Sequence, residues 1–237
     1  MVRILVTRNN KKETNINKAK GKDIIFYILF LLLLLLPQYF KGGYFEYAYL
    51  PFILGISMLM IYYVWKEYRR RGSIIVNDET DLLLVLLIVL YSLTFFYGIN
   101  KRGSIIEFIK NASYLSVFFI AKYLHKENSI RNKTINFIIL SGVLLSIIGV
   151  GTMIETWDYP GSYNGSRLSS TFQYPNTLAV YVAAMYFLTM GQTLINNDAR
   201  KIGLYGGGLF VFFSTLIFTY SRGMWVLFPL LLLGFFI

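Results

Sequence analysis

The chain contains no cysteine, a single histidine and only five prolines, and just 15% of its 237 residues are charged. Without cysteine there is no disulfide, no zinc–thiolate site and no thiol nucleophile. The lone histidine, His125, lies among cations after an apolar run, and no group of His, Asp and Glu has metal-ligand spacing, so no metal is expected. The twelve acidic residues include no Asp-x-Asp pair of the kind that holds a metal–nucleotide sugar. Neither GxxxxGK(S/T) nor GxGxxG occurs, and no cofactor is expected. The scarcity of charge also excludes an ordinary soluble domain. With 56% hydrophobic residues and a mean hydropathy of +0.54, too little polar surface remains to cover one.

What is present is a series of apolar runs close to the ~20 residues that cross a bilayer core. They fall at about 24–39, 47–65, 81–99, 104–124, 135–154, 177–195 and 203–220, with a last run at 224–237. The expectation is an all-α, polytopic membrane bundle over 23–237, seven spans plus a partial eighth, behind a basic tail at 1–22. A cleaved signal peptide competes for the first run, but the following LPQYFKGGYF offers no small-x-small cleavage site, which favours an uncleaved helix. Pro37 closes or kinks that helix. The Gly206-Gly207-Gly208 patch suggests close helix packing.

A net charge of +11 raises nucleic acid as a partner, but the cations sit between apolar runs instead of forming one basic face. Membrane topology explains them. With the N-terminus cytoplasmic, seventeen cations fall on the inner side and five on the outer, the bias of the positive-inside rule. The Glu155–Asn176 loop and Arg222 then face outward. The expected partners are the lipid bilayer and no nucleic acid; the expected location is the cytoplasmic membrane, crossed many times.

That loop, ETWDYPGSYNGSRLSSTFQYPN, carries one cation, Arg167, among neutral donors Ser162, Asn164, Ser166, Ser169, Ser170, Thr171 and Asn176. A guanidinium presents a rigid fork of donors suited to phosphate. Gly161 and Gly165 let the backbone bend, and Pro175-Asn176 resembles a helix start with free N–H groups. The competing reading is a solvated loop touching lipid phosphates. Arg222, between Ser221 and Gly223, sits in a very short turn between two apolar runs, where a charge faces a cavity, a partner or snorkels to headgroups. Two such arginines on one face suit an anionic ligand at the membrane boundary. Glu107 and Lys110 share a helix face and read either as an ion pair or as the lining of a polar cavity, while Lys101 and Arg102 are either rim cations or anchors. Glu155 and Asp158 are either a general base or ordinary loop carboxylates. The aromatics read as interfacial belts, with loop tyrosines as candidates for sugar stacking.

The run Arg167-Leu168-Ser169-Ser170-Thr171-Phe172-Gln173-Tyr174-Pro175-Asn176 resembles the R-L-x-G-T-F-x-N-P-N loop of the O-antigen ligase family. Thr219-Tyr220-Ser221-Arg222-Gly223-Met224-Trp225 resembles that family's T-x-S-R-G-A-W/L signature, in the same order and setting between spans. The resemblance implies a metal-independent membrane glycosyltransferase of cell-surface polysaccharide biosynthesis. Such an enzyme moves or polymerises glycan from an undecaprenyl-diphosphate-linked donor, on the outer face, to a glycan, lipid or protein acceptor. It implies that Arg167 and Arg222 bind the donor diphosphate, with Ser221, Gly223, Pro175 and Asn176 supporting the loops. The motif's glycine is Ser170 here and its first asparagine is Tyr174. The family's catalytic histidine lies in a later outer loop that this chain does not contain, so the chain is expected to be an N-terminal portion and its own catalytic residues are unknown. A transporter or flippase-like protein and a non-catalytic scaffold remain the rival readings.

Overall fold

The computed structural model describes residues 23–71, 76, 78–172 and 174–236. The basic tail expected at 1–22 lies outside the described residues. Of the described residues, 82% are helical and none lies in a strand. Its helices are α1 (Asp23–Tyr39), α2 (Glu46–Arg71), α3 (Glu79–Tyr97), α4 (Lys101–Leu124), α5 (Asn128–Met153), α6 (Pro175–Ile195), α7 (Ala199–Phe218) and α8 (Arg222–Phe236). Helices α2 to α7 are long and apolar enough to cross a membrane, while α1 and α8 are shorter apolar helices. Six such helices are compatible with a membrane-embedded protein.

Helix limits lie up to several residues outside the apolar runs, because polar caps close them. Asp78 accepts from the Asp81 amide, Asn100 from Gly103 and Asp198 from Arg200, each satisfying an orphan donor of a first turn. Helix α5 begins at Asn128, well before its apolar stretch, and so carries Arg131 and Lys133 in its first turns. Pro37 stands where α1 tightens into a 3-10 turn at Leu36–Tyr39, as its missing N–H requires.

Two compact units are resolved, one within Met1–Leu34 and Leu50–Asn128, the other within Leu35–Tyr49 and Ser129–Ile237. In the first, Phe26, Phe30, Ile56, Tyr63, Phe119 and Ile120 are buried, and α3 pairs with α4. Lys66 pairs with Asp23, and Lys122 bridges Asp78 and the buried Asp81, both at 2.6 Å. The Lys122 ammonium holds the Asp78 carboxyl below its ordinary range.

The second unit is built on the α6–α7 hairpin. Leu178, Val182 and Ala183 of α6, Phe212 and Leu216 of α7, Leu145 of α5, Met224 and Phe228 of α8 and Leu168 of the α5–α6 loop share one core. Gly142 on α5 lets the Phe212 ring approach, since a Cβ there would lie 3.1 Å from it. The Gly206–Gly208 patch does less than its sequence suggests. A Cβ at Gly206 or Gly207 would meet nothing within 4 Å, and only Gly208 faces Thr189 and Val143.

Candidate functional site

The loop between α5 and α6 is folded inward instead of standing in solvent. A tight turn at its tip is made by Asn164-Gly165. Asn164 Oδ1 accepts from the amides of Ser166 and Arg167, and Gly165 adopts a left-handed φ of 81°. Tyr163 and Leu168 then face each other as an isolated antiparallel bridge. Beyond it, Leu168, Ser169, Ser170 and Thr171 are buried.

The hydroxyls in this stretch hold the loop. Ser170 Oγ donates to the Leu145 carbonyl at 2.6 Å, Thr171 Oγ1 to the Gln38 carbonyl at 2.7 Å, and the Ser162 carbonyl accepts from both Ser169 and Ser170. Ser162 and Ser146 hydroxyls are buried without a partner among the described residues. Ser162, Ser169, Ser170 and Thr171, expected from sequence as ligand donors, are thus buried and do not line the cavity described below, and the Ser170 and Thr171 hydroxyls act as internal supports. Of the expected donors, Ser166 and Asn176 remain at the cavity described below.

Helix α7 ends at Phe218, and its last carbonyls lack intrahelical partners. Two of them are taken by the loop: the Leu168 amide donates to Phe218 O at 3.0 Å, and Arg167 Nε donates to Thr219 O at 3.0 Å. A cation at the carbonyl end of a helix is favoured by the aligned peptide dipoles. Arg167 Nη2 also reaches Asn176 Oδ1 at 2.7 Å. Asn176 follows Pro175 at the start of α6, where proline's fixed φ and absent N–H fit the first helical position.

From the end of α7 the chain turns directly into α8. Thr219 Oγ1 accepts from the Ser221 amide, and Tyr220 takes a left-handed φ of 47°, which a side chain rarely adopts. Arg222 opens α8 and is exposed. Its side chain makes no hydrogen bond or ion pair among the described residues. A cation in the first turn opposes the dipole of α8, so nothing within the helix favours it there.

These elements line an open cavity of about 1040 Å³. Its polar lining is Ser166, Arg167, Asn176, Tyr220, Ser221 and Arg222. Its apolar lining is Val180, Met224, Trp225 and Leu227, with Gly223 between the two. Both arginines singled out by sequence therefore line one cavity, together with Ser221, Gly223 and Asn176, whereas Pro175 does not touch it and acts by starting α6. Sequence reasoning missed Val180, Tyr220, Met224, Trp225 and Leu227. Helical spacing from Asn176 (i+4) and from Arg222 (i+3) is the signal that would have found Val180 and Trp225.

Other candidates lie apart from this cavity. Glu155 and Asp158 are exposed and do not line it. Glu107 and Lys110 pair with each other in α4. His125 caps the end of α4. No group of three His, Asp or Glu capable of holding a metal occurs among the described residues. Comparison with protein-family models, with curated proteins and with solved structures returned no match for this chain.

Proposed function

We propose that this chain is an O-antigen ligase-like membrane protein of cell-surface polysaccharide biosynthesis. In this reading it lies in the cytoplasmic membrane with its N-terminus inside and the cavity on the outer face. The cavity receives an undecaprenyl-diphosphate-linked glycan donor, for transfer to or polymerisation on a glycan, lipid or protein acceptor.

The observation that carries this reading is the two-part lining of one cavity. Two guanidiniums lie beside the starts of α6 and α8, and apolar side chains follow one turn further along the same helices. An amphiphile with an anionic head and an apolar chain complements such a wall. A phosphate head would meet charge-assisted donors at one end, and a prenyl chain would meet Val180, Trp225 and Leu227 at the other. Negative charge grows on the diphosphate as the glycosidic bond to it breaks, and fixed cations aimed at that charge lower the barrier.

The test is glycan transfer in cells whose surface polysaccharide depends on this gene. Arg222→Ala and Arg167→Ala are expected to abolish product while leaving membrane insertion and protein level unchanged. Normal product from Arg222→Ala would overturn the assignment.

A further inference from the structure

The two arginines share a cavity but are held in different ways. Arg167 is fixed at both ends of its fork, by the Thr219 carbonyl at 3.0 Å and by Asn176 Oδ1 at 2.7 Å. Its own amide is held as well, by Asn164 Oδ1 at 2.9 Å. Arg222 is exposed on the first turn of α8, with no side-chain partner among the described residues.

We infer that the pair divides anion recognition between a pre-set cradle, Arg167 with Asn176 as its positioning residue, and a free arm, Arg222. This rests on the reading of the ligand as a diphosphate. The Arg167 fork must satisfy two protein acceptors and still present N–H groups to the ligand. Only a guanidinium has enough donors, in a fixed plane, to do both. A lysine at 167 has a compact ammonium that Thr219 O and Asn176 Oδ1 would largely occupy. At 222 there is no protein acceptor to serve, so a lysine keeps its charge and its donors for the ligand. Fixing Arg167 beforehand also removes the ordering entropy that a free side chain loses on binding.

Asn176 separates this role from a purely structural one. Asn176→Ala removes the oxygen that accepts from Arg167 and adds no charge to the cavity. If the Arg167–Asn176 bond only ties the loop to α6, the variant loses thermal stability but binds ligand as the wild type does. If the bond aims a cation at the ligand, the variant weakens binding, and does so only while residue 167 is arginine.

The experiment titrates undecaprenyl diphosphate into the full chain in zwitterionic nanodiscs, with inorganic pyrophosphate as a second probe. Arg167→Lys is expected to weaken binding by about tenfold to a hundredfold, the loss of one charge-assisted bond or more. Arg222→Lys is expected to weaken it by only about threefold, the charge being kept. Asn176→Ala is expected to weaken both probes by about threefold to tenfold on its own and to add nothing further in the Arg167→Lys background. Equal weakening by the two lysine variants, wild-type affinity in Asn176→Ala, or an Asn176→Ala effect that persists in the Arg167→Lys background would overturn the division of roles while leaving the diphosphate reading intact. Absence of saturable binding by the wild type would overturn both.

Discussion

Ser170 illustrates how a single residue departs from a motif without breaking the structure. It occupies the place of the motif's glycine, and its backbone adopts a left-handed φ of 51°. Glycine favours that region, while a side chain there costs about 1 kcal/mol or more. The hydroxyl bond to Leu145 O offsets much of this, at about 1 kcal/mol. Ser170→Gly is therefore expected to unfold within about 1 kcal/mol of the wild type, because one gain replaces the other. Ser170→Val, β-branched and without the hydroxyl, is expected to lose more than about 2 kcal/mol. Thermal unfolding of the two variants in detergent checks both; a Val variant as stable as Gly would overturn the account. Gly149 is part of the same fit, since a Cβ on it would stand 2.8 Å from Ser170 Cβ. Sequence pattern made Arg167 and Arg222 legible because isolated cations beside apolar runs are rare. It could not reveal that Ser169, Ser170 and Thr171 are buried, because a hydroxyl reads the same whether it faces water or a carbonyl.

At the scale of elements, the segment ending α1 clasps the arginine loop. Tyr181 Oη donates to Gln38 Oε1 at 2.6 Å, and Gln38 Nε2 donates to Ser141 Oγ. Thr171 donates to the Gln38 carbonyl and Tyr159 Oη to the Tyr39 carbonyl, so both limbs of the loop are tied to 38–39. A satisfied polar network in an apolar setting specifies one arrangement, but a half-satisfied one is costly. Gln38→Leu is expected to destabilise the fold by about 2 kcal/mol, by stranding the Tyr181 hydroxyl. Adding Tyr181→Phe removes that stranded group and should recover part of the loss, which a double-mutant cycle in thermal unfolding measures. Full additivity of the two substitutions would count against the network. Apolar runs gave away the helices, whereas this clasp depends on a glutamine more than a hundred positions from its partner on α5, a pairing no local pattern records.

For the whole molecule, the proposed orientation rests on the unequal division of cations between alternate apolar runs. Bound at the lipid boundary, a lysine or arginine on the cytoplasmic side is favoured by the insertion machinery and by anionic lipid. The absence of native cysteine makes this directly measurable. Asn164→Cys, at the exposed tip of the loop, should react with a membrane-impermeant maleimide on intact cells. Asn197→Cys, between α6 and α7, should react only after permeabilisation. The reverse pattern would place the cavity in the cytoplasm and remove the proposed function with it. Charge arithmetic supplies the expected orientation, and the labelling pattern is its test. The two compact units were not legible in the sequence, because two of their three boundaries, at 34/35 and 49/50, fall within helical apolar runs and leave no mark in composition.

One consequence of the α7–α8 junction concerns the gap between the two guanidiniums. Leu168 and Arg167 are bonded to the last carbonyls of α7, so loop and helix end form a single body. Arg222 begins α8 two residues after Tyr220, whose left-handed torsion sets the direction in which that helix departs. The separation of the two backbone positions that carry the charges is therefore governed by one elbow. A rotation there would change the width of the anion's seat directly, as a caliper opens at its pivot.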